Sequence, residues 1–114
     1  MELEARELES GILGISLSGR MDAIGTQQID LKFTALTATR KAVVLVDLSK
    51  VTLLASIGIR TLVSNAKAQR LRGGSMVLYQ PTSMVEEVLK STGIDTIIPI
   101  AHDMDAARGA LGLS

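Results

Sequence analysis

The run "AVVLVDLS", Ala42 to Ser49, constrains this chain more than any other stretch. It is almost unbroken in β-branched and apolar residues, and such a segment fits a strand covered on both faces, as in a parallel sheet. "SMVLYQ" (Ser75 to Gln80) reads as a second interior strand, stopped by Pro81. In "GILGISLSG" (Gly11 to Gly19), Leu13, Ile15 and Leu17 alternate toward one face. The charged opening "ELEARELE" suits an edge strand that must not pair with other chains. "TIIPI" (Thr96 to Ile100) reads as a short strand, and Pro99 puts it at an edge or a strand end.

Helical patterns fall between these strands. Asp22 is a plausible cap for a helix reaching Leu36, with Ile29, Phe33 and Leu36 at helical spacing. From Ser56 onward, Ile59, Leu62, Val63 and Ala66 form an apolar stripe that ends at Gly73-Gly74. Ser83 with Glu86 reads as a capping box for a helix through Leu89, stopping near Gly93. Asp103 caps a last helix bearing Met104, Ala107 and Leu111. The order is β-β-α-β-α-β-α-β-α. It predicts an α/β fold: a mixed, mostly parallel sheet of about five strands with about four flanking helices. Without repeats, low-complexity segments or linkers, residues 1–114 read as one domain.

Composition narrows the function classes. Twelve basic residues balance twelve acidic ones, so nothing draws the whole chain toward nucleic acid or an anionic membrane. The absence of cysteine rules out disulfides and thiolate metal sites, and suits a reducing cytoplasm. "MELEARELES" is no secretory signal, and no apolar run approaches the roughly 20 residues that span a bilayer. Phe33 and Tyr79 are the only aromatic residues, which leaves no stacking platform for bases or sugars. The acids and the single histidine show no metal-ligand spacing, there is no phosphate loop, and no cofactor is expected.

Attention then falls on "LLASIGIRTL", Leu53 to Leu62, where a strand hands over to a helix at Ser56. In open α/β sheets, loops at the carboxyl ends of strands are where ligands and partners meet the fold. Ser56 has three readings. It can cap the helix through its hydroxyl. It can be a nucleophile, since "ASIG" supplies half of a G-x-S-x-G elbow and Ser56, Asp95 and His102 follow the hydrolase order. Against that, Leu54 occupies the first glycine position and no oxyanion loop precedes it. Or Ser56 can accept a phosphoryl group, which a helix N-terminus tolerates and which Arg60, one turn on, can reach. Between Val51 and Val85 there is no acid, while Arg60, Lys67, Arg70 and Arg72 occur there. These bases form either a solvated helix face or a basic surface for an acidic or phosphorylated partner.

"VVLVDLSKVTLLASIGIRTLV" resembles the signature of STAS domains of the anti-sigma-factor antagonist type. "SGRMDA" is similar to the family's Gly-x-Leu/Ile-Asp turn, and "RGGSMVLYQPTSMVEEVLKSTGID" to its fourth strand and third helix. The resemblance implies a binding module rather than an enzyme. Its partner would be a serine-kinase anti-sigma factor of the histidine-kinase-like ATPase type. In that family the unphosphorylated form binds the kinase and displaces the sigma factor, phosphorylation releases it, and a PP2C-type phosphatase restores binding, so the same cycle would be expected here. The acceptor maps to Ser56, Gly58 to the motif glycine, and Asp22 and Asp47 to two recurrent acids. Asp22 is open to a cap or a contact role, and Asp47 to a structural one. Partner contacts are expected at Asp22, Ala55, Ser56, Ile57, Gly58 and Arg60. Two positions depart from the pattern: Ala55 stands where aspartate is usual, and Ile57 where Ser or Thr follows. The resulting apolar patch also suits an alternative within the fold, a constitutive STAS subunit of an ABC-type lipid transporter.

Overall fold

The computed structural model describes residues 1–113. Strands β1 (Glu2–Glu7) and β2 (Ile12–Met21) are followed by α1 (Ala23–Thr37), β3 (Val43–Leu54), α2 (Ser56–Leu71), β4 (Ser75–Tyr79), α3 (Ser83–Ser91), β5 (Ile100–Ala101) and α4 (Met104–Ala110). The order is the one the alternating patterns predict. The strands form one sheet in the order β1-β2-β3-β4-β5, with β1 antiparallel to β2 and every other pair parallel.

Alternation along the strands sorts side chains into two apolar clusters. Ile15 and Leu17 of β2, Val44 and Val46 of β3 and Leu78 of β4 pack with Phe33, Leu62 and Leu89 of the first three helices. The opposite face is smaller: Ile12, Leu45 and Val77 meet Ala107 and Leu111 at the last helix. The central strand is thus covered on both sides, as its continuous apolar run requires.

Three sequence boundaries move. The run Ala42 to Ser49 is only the first part of β3, which continues to Leu54. Two register shifts against β2 carry it there, and in the first the Asp47 carboxylate accepts the Ser49 N–H at 2.9 Å. These irregularities put Ser49 and Lys50 side by side in solvent, so the strand looks finished where it only bulges. "TIIPI" forms no five-residue strand: Ile94–Thr96 is a 3-10 turn, and only Ile100–Ala101 pairs with β4. Pro99 has no N–H to give, but its carbonyl accepts from Leu78 N at 2.9 Å. The cap of α3 is Thr82, whose hydroxyl accepts from Val85 N, and not Ser83. Glu86 is therefore no capping-box partner. It binds Lys90 and His102, each at 3.0 Å.

One buried amide ties the α1–β3 connection to α2. Gln69, with no exposed surface, donates through Nε2 to the carbonyls of Thr37 and Arg40, both at 2.6 Å. Its Oε1 accepts from Ala42 N at 2.8 Å. This side chain holds the link between α1 and β3 against α2 at three backbone groups. Gln69→Leu strands all three backbone groups, and a loss of about 3 kcal/mol in urea unfolding is expected.

Hydrogen bonding to Lys90, and then to His102, holds the Glu86 carboxyl below its usual range. Because the folded form is the stronger acid, these bonds stabilise the fold above the ordinary carboxylate range, and the stabilisation fades as pH falls through the folded value. Glu86→Gln is expected to flatten the acid limb of a stability–pH profile measured by thermal unfolding.

Candidate functional site at the tip of the β2–β3 ribbon

Pairing between β3 and β4 ends at Asp47 and Tyr79, while β2 and β3 stay paired as far as Met21 and Leu54. A two-stranded parallel ribbon therefore projects beyond the sheet, and each strand turns into a helix at its end. Asp22 follows Met21 and Ala55 follows Leu54, and Ala55 N donates to the Met21 carbonyl at 3.0 Å. Register alone brings the starts of α1 and α2 side by side.

The two helix starts are finished differently. Asp22 is the cap of α1, and its Oδ1 accepts from Gly25 N at 2.8 Å. Its Oδ2 lies 3.3 Å from Nε of Arg20. The bond from Gly25, followed by the neighbouring guanidinium, holds the Asp22 carboxyl below its usual range. The cap role expected for Asp22 is present. At α2 the cap reading of Ser56 fails: the cap is Ala55, which has no side chain able to bond, and Ser56 is the first helical residue. Ser56 is exposed, and its hydroxyl makes no hydrogen bond among the described residues. The first turn of α2 contains no acid. Its leading N–H groups thus have no side-chain cap, and the positive end of the helix dipole lies beside a free hydroxyl.

Gly58 explains how α2 starts so close to the ribbon. A Cβ there would lie 2.7 Å from Met21 Cγ, 2.9 Å from Leu54 Cδ1 and 3.1 Å from the Met21 carbonyl oxygen. Gly25 has the same role in α1, where a Cβ would fall on the Arg20 carbonyl oxygen. Both helices sit against backbone because a glycine one turn in permits it.

Between the helices runs a groove of about 430 Å³, lined on one side by Ile57, Arg60 and Thr61 and on the other by Thr26, Gln27 and Asp30. Ile57 is 39% exposed. Thr26 is buried, and its hydroxyl has no partner among the described residues. The sequence reading names Ile57 and Arg60 but misses Thr26 and Asp30. They join the site only through the approach of two helices, and no local pattern marks that.

Other predicted groups lie elsewhere. Asp47 is seven residues upstream along β3 on the far side of the bulges, where it serves the Ser49 N–H. Of the basic residues after Val51, Arg70 donates to the Ile97 carbonyl and Arg72 to that of Ala38, at 2.8 and 2.9 Å. Those two are structural ties, which leaves Arg60 as the base at the groove. The hydrolase grouping is not assembled: His102 pairs with Glu86, and no base contacts the Ser56 hydroxyl among the described residues. Among those residues, no helix is long and apolar enough to cross a membrane.

The family of STAS domains matches residues 4–107. The chain belongs to that family. BtrV of Bordetella bronchiseptica, whose name places it provisionally among anti-sigma factor antagonists, is 28% identical over 100 residues, covering 88% of this chain and 86% of BtrV. An anti-sigma factor antagonist from Mycobacterium paratuberculosis shares the fold with a TM-score of 0.84 at 20% identity, over 97% of this chain and 93% of its own. SpoIIAA shares it in both its unphosphorylated form (TM-score 0.77, 16% identity, 99% of each chain) and its phosphorylated form from Bacillus (0.68, 15%, 92% and 96%). In this STAS domain, Gly58→Ala must push the start of α2 off the ribbon. A loss of about 2 kcal/mol in urea unfolding is expected, with altered amide resonances at Ala55 and Ile57.

Proposed function

We propose that this STAS domain is an anti-sigma factor antagonist whose binding is switched by phosphorylation of Ser56. The partner is a serine kinase of the histidine-kinase-like type that doubles as the anti-sigma factor, and a PP2C-type phosphatase reverses the modification, all in the cytoplasm. One observation carries the reading: Ser56 presents an exposed, unbonded hydroxyl at an uncapped helix start with no acid in its first turn. A phosphoryl group there adds about −1.5 to −2 charges at neutral pH. It meets free N–H groups and the helix dipole, so the fold accepts it. Arg60, one turn along the same helix, supplies a guanidinium. The charge alters the docking surface rather than the core, since Ser56 packs against nothing that must move.

The two departures fit the same scheme. Ala55 removes a carboxylate that would repel the phosphate, and Ile57 offers the partner an apolar contact at the mouth of the groove. Asp22, held ionised by its cap bond and Arg20, is the acidic contact available on the neighbouring helix start. SpoIIAA, which shares the fold, exists in phosphorylated and unphosphorylated forms, and this supports a phosphate switch on this scaffold.

The test pairs two substitutions with mass spectrometry. With the kinase encoded nearest the gene as titrant, Ser56→Ala is expected to keep wild-type affinity, while Ser56→Asp weakens binding by about tenfold or more in calorimetry. Phosphate is expected on the Ser56 peptide from native cells. Equal binding by both variants, with Ser56 never modified under growth or stress, overturns the switch and favours the constitutive transporter subunit.

A further inference from the structure

The second face of the sheet carries a feature that partner switching does not use. On that face the side chains of β2, β3 and β4 form rows. Row by row toward the strand ends, Ile12, Val43 and Ser75 give way to Gly14, Leu45 and Val77, and then to Ser16, Asp47 and Tyr79. Apolar side chains here pack on α4. The last row is polar and remains as the floor of a cavity of about 460 Å³, with Leu45 and Met104 among its apolar walls and Arg6 also lining it.

Asp47 and Tyr79 are direct neighbours in the parallel register, about 5 Å apart across adjacent strands. One carboxylate oxygen of Asp47 accepts the Ser49 N–H, and the carboxylate makes no other hydrogen bond among the described residues. The Tyr79 hydroxyl has only a 3.5 Å contact from Gln80 Nε2. The other acid at the cavity, Glu9, lies 3.3 Å from Arg108. The floor thus combines an available carboxylate, an aromatic ring and two apolar walls.

We propose that this cavity binds a small organic monoamine with an apolar body. The ammonium is held by a charge-assisted hydrogen bond to Asp47 and by the face of Tyr79. The body lies against Leu45 and Met104, whose flexible thioether adapts to its shape. Arg6 disfavours a second positive charge, which selects against polyamines. The site lies on the sheet face opposite the first three helices, so its occupancy does not depend on Ser56.

Phenethylamine is the probe, with 2-phenylethanol as its neutral counterpart and phenylacetate as its anionic one, titrated into the full ¹⁵N-labelled chain. Phenethylamine is expected to bind about tenfold tighter than 2-phenylethanol, with saturable shifts at Gly14, Ser16, Leu45 and Tyr79. Asp47→Asn keeps an acceptor for the Ser49 N–H, so the bulge is retained and an unchanged melting temperature checks it. That variant is expected to bind the amine no better than the alcohol. Equal binding of the three probes, tighter binding of phenylacetate, shifts confined to other surfaces, or no saturation each overturns the proposal.

Discussion

The close contact between the ribbon tip and α2 governs the rest of the structure. Ala55 N reaches the Met21 carbonyl at 3.0 Å, and one turn later Gly58 lies against Met21 and Leu54 with no room for a methyl group. A backbone hydrogen bond sets the distance and a missing side chain permits it. Everything proposed for the site follows from this fixed point: the Ser56 hydroxyl pointing away from the core, the groove between α1 and α2, and the nearness of two helix starts. Gln69 does the corresponding work at the other end of α2, binding the connection from α1 to β3. With both ends of the helix anchored to backbone, a charge added at its first residue has little freedom to shift the helix and acts on whatever approaches from solvent.

Much of this was legible in the sequence because local physics and tertiary packing agree over most of the chain. The β-branched run in β3 fits a strand covered on both faces, the stripe along α2 carries helical spacing, and the charges of β1 suit an exposed edge. Asp22 and Asp103 read correctly as caps, and both accept N–H bonds three residues on. The errors share one cause. Serine is a preferred capping residue, which makes Ser83 read as a cap and leaves a cap among the three readings of Ser56, but in both cases the helix begins one residue earlier. Propensity cannot tell the cap from the first helical residue when the choice is made by a long-range bond, such as that from Ala55 to Met21. The early end assigned to β3 has a similar origin, since a bulge places polar residues together much as a turn does. Thr26 and Asp30 enter the groove through helix approach alone.

The shift of the cap from Ser56 to Ala55 bears directly on function. A serine in the cap position would have its hydroxyl committed to an N–H of the first turn, and a phosphoryl group there would compete with the helix for that bond. At the first helical position the hydroxyl is uncommitted, and the N–H groups a cap would have taken remain free. An aspartate at position 55 would fill that role, as Asp22 does for α1. With Ala55 instead, the start of α2 has donors and no resident acceptor. This asymmetry between two neighbouring helix starts, one neutralised by its own carboxylate and the other left open, makes the second the place where an added negative charge is best received. The substitution that departs from the family pattern thus strengthens the electrostatic case for the proposed modification of Ser56, and it leaves Ile57 as an exposed apolar side chain for the proposed partner.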